Sequence, residues 1–131
     1  MNRASLLLSL GLLLAAVGPA RAELIRRTAL SGVPLKLAHF ASVNPDCTTK
    51  GRTEVRIANS PAHGVVRTRK ALDYSRFQQF TPSSGCDFRR VVGTSLTFQS
   101  EKGFVGTDYV TVDVIYPSGF ERNDTYEITV K

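Results

Sequence analysis

Residues 103 to 114 read Gly-Phe-Val-Gly-Thr-Asp-Tyr-Val-Thr-Val-Asp-Val, two glycines and an aspartate followed directly by alternating apolar residues. Alternation with a period of two is the pattern of a half-buried β-strand, because successive side chains point to opposite faces. The glycines and the first aspartate are typical of the turn that precedes a strand. The stretch therefore predicts the start of a strand in an all-β domain, and it contains no catalytic motif.

Short alternating segments recur along the rest of the chain, and clusters of Gly, Pro, Asn, Asp and Ser separate them. Seven or eight such strands in a chain of this length predict a β-sandwich with one core. The apolar residues that alternate along the predicted strands are expected to face between two sheets: Leu37, Val55, Ile57, Val65, Phe104, Val110, Val112, Val114, Ile128 and Val130.

The first 22 residues have the pattern of an export signal. A short cationic start at Arg3 precedes an apolar segment over residues 5–17, and Ala20-Arg21-Ala22 is a small-x-small cleavage site. An uncleaved membrane anchor needs roughly 18 or more apolar residues, and Gly18-Pro19 interrupts this run earlier. We therefore predict a signal peptide over residues 1–22 and a mature domain over residues 23–131 that lacks a transmembrane anchor and is periplasmic or secreted.

Cys47 and Cys86 are the only cysteines in the chain. An even number of cysteines in an exported protein favours a disulfide, and both lie in turn-forming contexts. The alternatives are two free buried thiols or a metal site, but the close Cys or His partners of a zinc site are missing. A bond closing a loop of about 40 residues stabilises a fold by roughly 3–4 kcal/mol in the chain-entropy model.

Two motifs carry a resemblance to a known family. Pro61-Ala62-His63-Gly64-Val65-Val66 reads as a turn that opens a strand, and residues 103–109 are followed by Gly119 and by the last strand, residues 126–130. Together they resemble bacterial immunoglobulin-like and cadherin-like domains, which occur as tandem repeats in surface proteins. The resemblance covers about residues 50–131. It implies an immunoglobulin-like β-sandwich of about seven strands, and members of the family serve as spacers, adhesin modules and ligand-binding modules.

The chain departs from that family in three ways: it has one copy, it adds two cysteines, and it lacks a dense Asp-x-Asp cluster of the calcium-binding type. Asp108 and Asp113 are the nearest acidic pair. Their spacing of five places them on opposite faces of a strand, which argues against joint calcium binding. We predict no metal and no cofactor.

Basic residues are concentrated in the middle of the chain. Residues 50–90 carry nine Lys and Arg against three acidic side chains, while the mature chain as a whole has a net charge of +4. The expectation is a cationic patch that attracts acidic envelope polysaccharide, lipopolysaccharide or a protein partner, formed by Arg67, Arg69, Lys70, Arg89 and Arg90. The alternative is a solvated outer sheet face with the interleaved aromatic residues in the core. Export argues against nucleic acid as the partner.

The two histidines, His39 and His63, fall in no recognised catalytic motif, so we predict no catalytic residues and no enzyme activity. The sequence favours an exported, non-catalytic binding or interaction module of the cell envelope. The alternative is a structural or accessory subunit whose edge strand pairs with a larger surface or secretion assembly. A hydrolase is the third alternative, for which the sequence offers no motif.

Overall fold

The computed structural model describes residues 22–77 and 81–131, so the predicted signal segment, except for Ala22, lies outside the described residues. Within them, seven β-strands are joined by loops and one short 3-10 helix. The strands are β1 (Ala22–Ala29), β2 (Leu35–Phe40), β3 (Glu54–Asn59), β4 (Gly64–Tyr74), β5 (Arg90–Ser100), β6 (Gly106–Ile115) and β7 (Glu121–Val130), and the 3-10 helix (Ser84–Phe88) precedes β5. No helix of the described residues is long and apolar enough to cross a membrane.

The strands form two sheets that pack face to face. One sheet has the order β1-β7-β6-β3 and the other β2-β5-β4. β1 lies parallel to β7, and the other neighbouring strands are antiparallel. The predicted all-β sandwich is therefore confirmed. β4 is longer than the sequence pattern indicated, because it continues through the basic run at residues 67–70.

The main core lies between the sheets and comes largely from β6 and β7. Val110, Val112 and Val114 are completely buried on one face of β6, and Tyr126, Ile128 and Val130 are buried on the same face of the neighbouring strand β7, with Tyr126 directly opposite Val110. Leu37 is also buried, while Val55 and Phe104 are partly buried and pack against this core. The period-two pattern around residues 109–114 thus selected the correct face.

The prediction that Ile57 and Val65 belong to the core is wrong, since 37% and 48% of their surfaces are exposed. Val65 precedes Val66, which lies opposite the buried Phe98, so Val65 faces away from the core. A shift of one residue along a strand changes the face. Ile57 shares the face of its partner Val112. Because β3 is an edge strand, a neighbouring strand covers Ile57 from one side only.

A second, smaller core lies beside the loops that follow β2 and β4. It contains Ala41, Val43, Cys86 and Val91, with Phe77 packed against it. The Cys47–Cys86 disulfide joins this cluster to the loop at residues 41–53, with 5.5 Å between the two Cα atoms. The predicted bond is confirmed, and it connects two loops as their turn-forming sequences indicated.

Candidate functional site

The three loops at one end of the sandwich, residues 30–34, 60–63 and 101–105, contact one another, and we call this the motif end. Gly103 N donates a hydrogen bond to Ser31 Oγ at 2.8 Å, and Glu101 N donates to the carbonyl of His63 at 2.9 Å. The His63 ring stacks on Phe104, with 4.3 Å between ring centroids. The two motifs that carry the family resemblance therefore meet in space, although about 40 residues separate them in sequence.

Asp108 connects these motifs at the motif end. Its side chain is 3% exposed, and its two carboxylate oxygens accept hydrogen bonds from Ala62 N and His63 N, each at 2.8 Å. Tyr109 N donates to the same carboxylate at 2.9 Å. Three backbone amides thus donate hydrogen bonds to the Asp108 carboxylate. Asp113 lies on the opposite face of β6 and accepts from the Asn123 side chain, so the two carboxylates are separated as expected. In the described ranges no three acidic, His or Cys side chains are grouped to hold a metal ion.

His39 has a partner that the sequence did not indicate. Its Nε2 lies 2.9 Å from the carbonyl oxygen of Val91 and its Nδ1 lies 2.8 Å from Ser95 Oγ. A carbonyl only accepts, so the proton is on Nε2 and Ser95 donates its hydroxyl hydrogen to Nδ1. Both side chains are more than nine-tenths buried. Gly93 lies against the imidazole, since a Cβ there would be 2.8 Å from Nε2. This pair joins β2 to β5 as an internal polar contact.

Arg122 and Asp124, both on β7, form a buried ion pair at the open side of the sandwich between β1 and β2. Arg122 donates through two nitrogens to Asp124, which is 1% exposed, and the guanidinium lies 5.8 Å from the centre of the Phe40 ring. The hydrogen bonds from Arg122 to Asp124 are the main reason that the pKa of Arg122 is raised. Burial raises the pKa of Tyr126 well above its usual value. Neither charge was singled out in the sequence, although the two residues are two apart on β7 and therefore share a face; that this face is covered by the other sheet is a property of the fold.

The five predicted basic patch residues are all exposed, but the strand register distributes them. Arg67 and Arg69 lie on one face of β4, and Lys70 lies on the other. Arg89 and Arg90 lie at the start of β5, where Arg90 is opposite Tyr74. Arg69 and Arg90 are thus five residues apart along the ladder, roughly 17 Å at 3.4 Å per residue. Arg69 and Lys70 both border one groove although their side chains lie on opposite faces of β4, and Arg89 and Arg90 lie elsewhere.

Arg69 and Lys70 border a groove between the edge strands β3 and β4, with a volume of about 620 Å³. Arg52 contributes a third cation, although its guanidinium lies 2.9 Å from the Glu54 carboxylate. No ion pair involves Arg69 or Lys70 in the part of the chain that the structure describes. Threonine hydroxyls also border the groove, and Thr94 Oγ1 donates to the Thr53 carbonyl across it at 2.7 Å. The groove combines free cations with hydroxyl groups and is our candidate binding site.

Comparisons with known proteins do not assign the chain to a family. No protein-family model matches the sequence, and no curated protein matches it. Among solved structures, the solution structure of Amebosin aligns with a TM-score of 0.46 and 14% sequence identity, over 87% of this chain and 100% of that chain. A similarity at this level carries no argument about function.

Proposed function

We propose that this protein is an exported, non-catalytic binding module of the bacterial cell envelope, with an immunoglobulin-like fold, that binds an acidic polymer in the β3–β4 groove. The observation that carries the proposal is the pair of unpaired cations, Arg69 and Lys70, beside threonine hydroxyls in an open groove. Acidic polysaccharide and lipopolysaccharide both present anionic groups together with hydroxyls. Cations and hydroxyls are suited to binding both.

The strand order supports an immunoglobulin-like fold. In immunoglobulin constant domains the second, fifth and fourth strands form one sheet, and the third, sixth and seventh form most of the other. The orders β2-β5-β4 and β3-β6-β7 agree with that arrangement. The first strand differs, since β1 pairs with β7 rather than with β2. The joining of the two family-like motifs through Asp108 also supports the resemblance to bacterial immunoglobulin-like and cadherin-like domains.

Export to the periplasm or the extracellular space is part of the proposal. The Cys47–Cys86 disulfide supports it, because disulfides persist in oxidising compartments. The signal peptide over residues 1–22 remains a prediction. Intact-mass analysis of the exported protein is expected to show a chain that begins at Glu23, and material that retains Met1 would contradict it.

Binding of the mature domain to heparin or to lipopolysaccharide tests the groove. Arg69→Glu is expected to weaken binding about tenfold at low salt, because the change replaces an attraction with a repulsion. The matched control is Arg27→Glu, the same charge change on β1 at the opposite edge of the sandwich. Affinity is expected to fall as salt rises, since the screening length is about 8 Å at physiological ionic strength. Equal losses for both variants would show that only net charge matters and would remove the groove from consideration.

A second candidate function is supported by the exposed edge of β4. This strand has eleven residues and pairs only with β5, so its other side presents unpaired backbone groups. A strand of a larger assembly could add to this edge, with the protein as an accessory subunit. Site-specific crosslinking from Thr68 in cell envelopes separates the two functions, since the accessory role requires a protein adduct and polymer binding does not.

A further inference from the structure

Phe88 is the most exposed large apolar side chain among the described residues, with 88% of its surface accessible. It is the last residue of the 3-10 helix, two positions after the fully buried Cys86. The disulfide to Cys47 fixes the backbone before it, and the neighbouring Asp87 accepts a hydrogen bond from Phe77 N at 2.7 Å. The ring is therefore presented to solvent on a backbone that is held in place.

Further apolar side chains are exposed on the neighbouring ends of β4 and β5. Leu72 lies directly opposite Val92, and Tyr74 lies opposite Arg90, two residues further along. Leu72 and Tyr74 are two residues apart on β4, and Arg90 and Val92 are two residues apart on β5. The four side chains therefore lie on one face of the sheet. Leu72, Tyr74 and Val92 are 50%, 53% and 38% exposed. Contiguous exposed apolar surface marks a contact site more often than single exposed residues do.

Arginines accompany this apolar surface. Arg90 Nη2 donates to the carbonyl of Leu72 at 2.8 Å, which holds its guanidinium beside the exposed leucine. Arg89 directly follows Phe88, and neither arginine forms an ion pair within residues 22–77 and 81–131. Of the nearby carboxylates, Asp73 is paired with Lys36 at 2.8 Å, whereas Asp87 and Asp46 accept hydrogen bonds from backbone amides and keep their charge. Arg89 and Arg90 are the cations that this apolar surface offers to a partner.

We propose that Phe88 and the arginines beside it dock this end of the sandwich on an anionic lipid surface. The ring enters the boundary between head groups and acyl chains, where aromatic side chains are favoured, and the arginines contact the anionic head groups. Charge complementarity selects an anionic bilayer rather than a neutral one. The site adjoins the β3–β4 groove, which Val92 also lines, but Phe88, Arg89 and Arg90 lie outside that groove, so the inference does not depend on the polymer binding proposed for it.

The chain contains no tryptophan, so Phe88→Trp places a single fluorescent reporter at the site. We expect its emission to shift to shorter wavelength on adding phosphatidylcholine vesicles that contain phosphatidylglycerol, and to stay unchanged with pure phosphatidylcholine. The matched control is Val105→Trp, at the motif end, where Val105 is 70% exposed without an adjacent arginine. Arg69→Glu in the Phe88→Trp background is expected to keep the shift, which separates this site from the groove.

Vesicle co-sedimentation of the otherwise unchanged mature protein measures how much Phe88 and Arg89 each contribute to membrane binding. Phe88→Ser is expected to lower the partition coefficient about tenfold, the loss of one buried aromatic side chain. Arg89→Gln is expected to lower it about fivefold. Both substitutions are at exposed positions and should leave the fold intact.

Three results would overturn the inference: no shift for Phe88→Trp, an equal shift for Val105→Trp, or unchanged sedimentation of Phe88→Ser.

Discussion

The two ends of the sandwich are held together by different means. At the motif end, short loops meet through the Asp108 carboxylate, its backbone amide donors and the stacked rings of His63 and Phe104. At the other end, which we call the disulfide end, Cys47–Cys86 and a small second core join the loop at residues 41–53 to the connection between β4 and β5, of which the structure describes residues 75–77 and 81–89. In this domain the short loops are held by a buried charge, and the long connections by a covalent bond and apolar contacts of their own.

The difference extends to the surfaces that the two ends present. The disulfide end exposes Phe88 with Arg89 and Arg90 beside it. The motif end also exposes an apolar side chain, Val105, but no arginine lies next to it in the sequence. Both ends depend on the same central strands, β6 and β7, which supply most of the main core.

The substitution Val112→Asp is expected to have the largest effect, because it should unfold both ends of the sandwich together. Val112 is completely buried in the middle of β6, and an aspartate there would bury a charge without a partner. We expect the free energy of unfolding to fall by about 4 kcal/mol or more, which unfolds a domain of ordinary stability. Thermal unfolding followed by circular dichroism measures it. A near-normal melting temperature, or retained structure at one end, would show that the ends do not share this core.

Removal of the disulfide is expected to act mainly on the disulfide end. Cys47→Ser with Cys86→Ser should lower the free energy of unfolding by roughly 3–4 kcal/mol, because the unfolded chain gains the entropy of an open loop. Hydrogen exchange should accelerate at residues 41–53 and 81–89, while the amides of Ala62 and His63 stay protected. Equal acceleration at those two amides would contradict the separation of the ends.

A smaller effect, confined to the motif end, is expected from Asp108→Asn. The amide keeps one acceptor oxygen and replaces the other with a donor, so one of the amides of Ala62 and His63 loses its partner. We expect a loss of about 2 kcal/mol in denaturant unfolding, the value for a buried hydrogen bond to a charged group. Asp113→Asn is the matched control on the same strand, where the carboxylate is only partly buried. An equal loss in both variants would mean that Asp108 contributes no more than a surface carboxylate.

Much of the fold was predictable because it depends on local pattern. The alternation of Val110, Val112 and Val114 specifies a strand and its buried face without knowledge of its neighbours, and the turn residues mark where strands end. With only two cysteines there was a single intramolecular pairing to predict. His63 and Asp108 belong to the two motifs read from the sequence, but their contact was not predicted.

The errors and omissions came from edges and from pairs of residues on different strands. Ile57 lies on the edge strand β3, where alternation does not say how far the opposite sheet extends. Val65 was assigned to the wrong face of β4, since its neighbour Val66 is the residue that lies opposite Phe98. The contact of His39 with Ser95 needs the register between β2 and β5, which includes a bulge between Lys36 and Ala38. Neither residue carries a sequence signal for the other, because 56 positions separate them.

The same limit applies to the candidate site. The sequence by itself determined that the chain forms β-strands, that two cysteines pair and that its middle is basic, since these follow from composition and local periodicity. Only the arrangement of the strands in space shows that Arg69 and Lys70 border one groove from opposite faces of β4, while Arg89 and Arg90 lie beside Phe88. The physical reason is that a strand fixes which side its residues face, but only the order and register of the strands in the sheets fix which residues become neighbours.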